Sequence, residues 1–159
     1  MTIAELERRL LAEGCNPANY ALGTRSYDGF CLMQDGGRWA VFYSERGRDQ
    51  PPLFTSTDEA AACQFYLEFM LNMRHDHMVG FLRSEKLVRA LRAQLAAQGI
   101  ATHTDRMLYH RNDYRHRVMV VGKDIFKAKA LLGKVPLADV EEARQGFWER
   151  LRRFWTLRA

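Results

Sequence analysis

The sequence predicts an α+β protein built in two parts. Apolar residues recur at helical spacing in several windows, short apolar runs closed by Asp-Gly or Gly-Gly turns lie between them, and the charge changes sign halfway along. Residues 1–79 carry 7 Lys/Arg against 11 Asp/Glu, a net of −4, whereas residues 80–159 carry 17 against 8, a net of +9. The expected layout is an N-terminal helix–antiparallel sheet–helix lobe over residues 1–79. A helix–strand–strand–helix lobe with a C-terminal amphipathic helix follows over residues 80–159, whether as two domains or as one compact domain.

Thr2-Ile3-Ala4-Glu5 has capping-box spacing, with the Thr hydroxyl and the Glu carboxylate each satisfying an amide of the first turn. Ile3, Leu6, Leu10 and Leu11 follow near helical spacing and Gly14 is a natural stop, which predicts a helix over 3–13. Asn16-Pro17 and Asn19 turn the chain, and Tyr20-Ala21-Leu22 starts a strand. Asp28-Gly29 precedes the apolar run Phe30-Cys31-Leu32-Met33. Asp35-Gly36-Gly37 has the chemistry of a tight hairpin with positive φ. It is a turn rather than a phosphate loop, because no Lys-Ser/Thr follows. Residues 38–44 are apolar on both faces, which predicts a central strand with Trp39 in the core. After Pro51-Pro52, Ser56 or Thr57 caps a helix running to about Met73, and Asp58 and Glu59 in its first turn complement the dipole.

His75 to Gly80 reads as a polar link between the lobes. Ser84 caps a helix carrying Leu87, Val88, Leu91 and Leu95, closed at Gly99-Ile100 in a Schellman motif. Strands are expected over 101–109 and 116–121 around the turn Arg111-Asn112-Asp113, then a helix over 125–132 closed by Gly133. A last helix after Pro136 begins at Asp139, with Glu142 three residues on, and carries Val140, Ala143, Phe147, Leu151 and Phe154 as its apolar stripe.

Apolar residues at 47% and charged residues at 27% are ordinary for a folded domain and argue against disorder. No apolar run reaches about 18 residues, so no membrane partner is expected. The N-terminus has no apolar core of a secretory signal. Cys15, Cys31 and Cys63 are odd in number and widely spaced, unlike a disulfide framework or a zinc ribbon, and they lie in apolar contexts. A reducing cytoplasm fits this pattern best.

Few residues point to chemistry. His75, Asp76 and His77 could ligate a metal only from an extended segment, and no third group follows at useful spacing, so a polar hinge is preferred and no cofactor is expected. His103, His110 and His116 lack the carboxylates or nucleophile of a hydrolase, and no catalytic residue is assigned. The segment with Arg106, Tyr109, Arg111, Tyr114, Arg115 and Arg117 joins phosphate-binding cations to rings that stack on bases. The same charges would also serve as a guard on a sheet edge. In the last helix, Arg150, Arg152, Arg153 and Arg158 with Trp148 and Trp155 would suit a membrane surface. A cationic helix end with aromatics closing the core is the preferred reading.

Residues 14–63 resemble the N-terminal part of immunity proteins from bacterial toxin systems delivered between competing cells. The matching positions are Gly14, Tyr20, Leu22, Cys31, Leu32, Trp39, Val41, Tyr43, Glu45, Arg46, Gly47, Phe54, Glu59, Ala60 and Cys63. The resemblance covers about a third of the chain and consists mostly of core and turn positions. It implies a cytoplasmic, non-catalytic protein that binds a cognate toxin domain and blocks its active site. The inhibitory face expected on that reading is acidic: Asp28, Asp35, Glu45, Asp49, Asp58 and Glu59. The alternative is a nucleic-acid-binding module using the basic C-terminal half, whose layout is similar to half of a ferredoxin-like unit.

Overall fold

Helix α1 (Ile3–Ala12) begins and ends where its sequence signals place it. The Thr2 hydroxyl accepts from the Glu5 amide and the Glu5 carboxylate accepts from the Thr2 amide, closing the capping box. At the other end the Cys15 amide donates to Leu10 O at 2.9 Å and the Gly14 amide to Leu11 O at 3.1 Å, a Schellman closure. The computed structural model describes residues 1–139. The expected last helix, from Val140 onward, lies outside the described residues.

The first sheet holds β1 (Tyr20–Leu22), β2 (Asp28–Asp35), β3 (Arg38–Glu45), β4 (Arg48–Asp49) and β5 (Phe54–Ser56). The Asp35–Arg38 turn closes a hairpin in which eight residues of β2 face eight of β3. Its two central residues, Gly36 and Gly37, have φ of +56° and +80°, as a two-residue type I′ loop requires. Strand β3 is central, flanked by β2 on one side and by β4 and β5 on the other. The sheet is mixed rather than antiparallel: β1 pairs parallel with β2, Tyr20 beside Phe30, after residues 23–27 carry the chain back to the same end of the sheet.

Helix α2 (Glu59–Leu71) is capped by Asp58, whose carboxylate accepts from the Ala60 amide at 2.9 Å. Ser56 supports this cap by accepting the Asp58 amide and is not itself the cap. The core lies where α1 and α2 pack on the sheet: Leu6, Leu10, Leu32, Val41, Cys63, Tyr66 and Met70 are fully buried. The Tyr66 hydroxyl donates to Phe30 O at 2.8 Å, so its one polar atom is satisfied in an apolar setting. Trp39 is only half-buried, packed at the edge of this cluster directly after the hairpin turn.

The expected polar link from His75 to Gly80 is a correction. It forms β6 (Asp76–Leu82), an interior strand of the second sheet with β8 on one side and β9 on the other. The remaining elements are α3 (Glu85–Ala96), β7 (His103–His110), β8 (Asp113–Val121), α4 (Asp124–Leu132) and β9 (Leu137–Ala138). The sheet order is β7-β8-β6-β9, and β9 pairs parallel with β6. The expected helix–strand–strand–helix is present as α3-β7-β8-α4, and β6 and β9 extend it to β-α-β-β-α-β, the element order of a ferredoxin-like unit. A Cβ on Gly80 would come within 2.6 Å of Leu91 Cδ2, so the glycine admits α3 onto the strand. Val79, Leu82, Val88, Leu91, Leu95, Val118, Val120 and Ile125 make this core. Ser84 caps α3, and Gly99-Ile100 ends it in the expected Schellman motif. Leu87, expected among the buried residues of α3, is exposed.

The chain divides into two compact units, and the first is discontinuous: residues 1–76 together with Val121–Lys123. Within it the Gly122 amide donates to His75 O at 2.9 Å, and Lys123 pairs with Glu13 at 2.7 Å.

Candidate functional site

The six carboxylates expected to form one acidic face fall into two groups. Asp28, Glu45 and Asp49 lie at one end of the first sheet, where Asp28 stands opposite Glu45 and Asp49 opposite Ser44. Asp35 lies at the other end of β2, about 23 Å away at roughly 3.3 Å per residue. Asp58 and Glu59 belong with that far end, since Ser56 pairs with Trp39 beside the hairpin turn. Asp58 is occupied as a helix cap, and Glu59 accepts the Ile3 amide at 3.0 Å.

The first group is the more developed surface. The Arg46-Gly47 turn closes β3 on β4, and the Gly47 amide donates to Tyr27 O, leaving the Tyr27 ring 73% exposed next to Asp28. Asp49 takes a hydrogen bond from Arg25 Nε at 2.8 Å. A groove of about 540 Å³ runs along Glu45, Arg46, Arg48, Asp49 and Gln50. Asp28 accepts a hydrogen bond from the Tyr43 hydroxyl, and that bond holds the phenol's pKa above its ordinary value. Sequence reasoning missed Tyr27. Its signal was an aromatic ring inside the polar run Arg25-Ser26-Tyr27-Asp28, where no core demands one.

The β7–β8 hairpin is basic in sequence, but two of its four arginines, Arg115 and Arg117, are paired with its own carboxylates. Arg115 is buried, 1% exposed, and its Nε and Nη2 bind Asp113 at 2.9 Å. Its guanidinium lies 5.4 Å from the Phe81 ring centre and 5.3 Å from that of Tyr109. Asp113 also receives a bidentate pair from Arg83, at 2.9 and 2.8 Å. Arg117 pairs with Asp105, with Nε on Oδ1 at 2.7 Å. Arg115 is thus removed from the expected nucleic-acid surface by burial, and Arg117 is engaged by a carboxylate. Arg106, Tyr109, Arg111 and Tyr114 remain exposed near the tip, with Arg106 4.2 Å over the Tyr114 ring. Arg83, the second partner of Asp113, carried no sequence signal because it lies 30 residues away.

These pairs set an acid limb of stability. Hydrogen bonds from Arg83 and then Arg115 hold the Asp113 carboxyl far below its ordinary pKa, and Arg117 lowers that of Asp105. A depressed folded-state pKa means stability that is complete above the unfolded value of about 3.9 and lost as pH falls through the folded value. Asp113→Asn is expected to flatten the stability–pH curve below about pH 4. Urea unfolding at pH 3 and pH 7 tests this, and an unchanged pH difference would refute it.

The histidines do not converge. His103 and His110 lie at opposite ends of β7, and His116 stands opposite Arg106. His75 is buried: its Nδ1 accepts the Asn16 amide at 3.2 Å and its Nε2 bonds Met70 O at 2.8 Å, which places the proton on Nε2. Among the described residues, no three His, Cys, Asp or Glu side chains are grouped to hold a metal ion. The three cysteines are free and buried, and burial raises the pKa of each thiol. Asp139, expected to cap the last helix, is buried and accepts the Arg83 amide at 2.7 Å. Among the described residues, no helix is long and apolar enough to cross a membrane.

No protein-family model, curated protein or solved structure matches the chain.

Proposed function

We propose that this chain is an immunity protein: it binds a cognate bacterial toxin in the cytoplasm and blocks the toxin's active site, with no chemistry of its own. The observation that carries the reading is the carboxylates of Asp28 and Glu45, in no ion pair among the described residues, with Asp49 held by Arg25 alongside, beside the exposed ring of Tyr27 at one end of the first sheet. An exposed aromatic with charged neighbours is the usual make-up of an energetic anchor and its rim. The resemblance over residues 14–63 supplies the toxin as partner, and a basic substrate cleft is the surface that such carboxylates complement. Asp35, Asp58 and Glu59 belong to the far end and are not part of this face.

Co-expression with candidate toxin domains, taken first from genes neighbouring this one, is the direct test, with rescue of growth from one of them as the expected result. The charged rim gives a sharper one. Asp28→Lys with Glu45→Lys is expected to slow association roughly tenfold at low salt, with less change in dissociation. Asp35→Lys with Asp58→Lys is the control and leaves the association rate unchanged. Equal effects of the two pairs, read by stopped-flow fluorescence, would move the interface away from the Tyr27 end.

A second reading rests on the stacked Arg106–Tyr114 pair with Tyr109 and Arg111 at the hairpin tip. It makes the second unit a binder of single-stranded nucleic acid, through stacking and phosphate contacts. With about two free cations engaged, the expected log–log salt slope for a labelled oligonucleotide is shallow, about −1.4. No binding at 20 mM salt removes this reading.

A further inference from the structure

One face of the β2–β3 hairpin changes character along its length. Leu32 and Val41 face each other in the core, Phe30 and Tyr43 form the next pair on that face, and Asp28 and Glu45 form the last. The sequence of pairs is apolar, aromatic, then acidic. Phe30 packs on Tyr43 at 4.9 Å between ring centres and on Phe69 at 4.8 Å, so the aromatic step is held from below.

The terminal pair is unusual. Two carboxylates directly opposite across a ladder repel each other and destabilise the sheet. Among the described residues neither Asp28 nor Glu45 has an ion-pair partner; Arg48 faces Glu45 from β4 without forming one. A groove of about 420 Å³ opens beside Asp28, with Phe30, Tyr43 and Met73 on its apolar side and Asp28 and Asn19 on its polar side; Glu45 stands just outside its lining. The Tyr43 hydroxyl donates to Asp28 and ties that carboxylate to the aromatic pair.

We infer that this groove receives an arginine side chain from the partner protein, its guanidinium over the Tyr43 and Phe30 rings and against the Asp28 carboxylate, with Glu45 adding negative charge from across the ladder. Arginine fits better than lysine. Its planar, weakly hydrated cation stacks on rings and offers several donors to two acceptors at once, whereas an ammonium is a compact, strongly hydrated point charge. The stem of the side chain would lie along Met73. The inference rests on the protein-binding reading above and names the residue that anchors the partner.

The test needs no toxin. The full chain is titrated with Nα-acetylarginine amide while the Tyr43 and Phe30 ring resonances are followed by NMR. Nα-acetylcitrulline amide, of the same shape and without the charge, serves as the control. The expected result is saturable shifts at both rings in the millimolar range for arginine, with citrulline at least about tenfold weaker. Asp28→Asn and Glu45→Gln keep side-chain size on an exposed edge; Asp28→Asn should weaken arginine binding several-fold and Glu45→Gln less, with the remaining spectrum unchanged. No saturable shift, equal binding of citrulline, or undiminished binding by Asp28→Asn would overturn the inference. Saturable binding in a chain that fails to rescue cells would keep the arginine groove and remove the toxin reading. Rescue without arginine binding would do the reverse.

Discussion

Replacing Gly14 by alanine is expected to cost about 3–5 kcal/mol. Two effects combine. Gly14 has φ of +73°, where an L side chain is strained. Its missing Cβ is also a packing requirement: a carbon there would come within 2.6 Å of Gly122 C and Lys123 N and 2.8 Å of Gly122 O, all backbone atoms with no rotamer to yield. Gly23 provides an internal control. Its φ of +71° is nearly the same, and nothing lies within 4 Å of its added Cβ. Gly23→Ala is therefore expected to cost about 1 kcal/mol, the conformational part alone. Urea denaturation of both variants separates the terms. Equal losses would mean that Val121–Lys123 does not press on the α1 terminus.

The second large effect is at Tyr66. Truncation to alanine removes a fully buried ring from the centre of the first core and is expected to cost about 3–5 kcal/mol. Tyr66→Phe isolates the hydroxyl. It keeps the ring but strips Phe30 O of its 2.8 Å donor, with an expected cost of about 1–2 kcal/mol. Burial raises the pKa of this phenol well above its ordinary value, so the hydroxyl stays a donor throughout the range in which the protein would be handled. If the phenylalanine variant lost as much as the alanine one, the hydrogen bond rather than the ring would organise the sheet on α2.

The features legible in the sequence are those decided within a few residues. The Thr2–Glu5 box, the Ser84 cap, the Gly99-Ile100 closure and the Gly36-Gly37 turn each satisfy their own backbone groups locally. What was not legible depends on partners far along the chain. The segment from Asp76 is polar at its start and contains Gly80, so it reads as a link. It becomes a strand because β8 and β9 flank it and Leu91 needs the space over Gly80. Parallel pairing of β1 is set by where the chain re-enters the sheet, not by Tyr20-Ala21-Leu22 itself. The candidate site follows the same division. Turn carboxylates could be named from the sequence, but Asp28 and Asp35 end the same strand and so point to different places. Arg115 reads as one cation among several, and only Asp113, Phe81 and Tyr109 together make it a buried one.

The discontinuity of the first unit has a consequence for synthesis. Its final three residues, Val121–Lys123, leave the ribosome 47 residues after Asp76. At roughly 5–20 residues per second that interval lasts about 2–9 s. During it the nascent sheet and its two helices have no Gly122 amide for His75 O and no Lys123 for Glu13. Translation speed across residues 77–123 thus sets how long the N-terminal half exists as an incomplete module, open to chaperones, and a pause placed in that stretch would lengthen the exposure without changing a single amino acid.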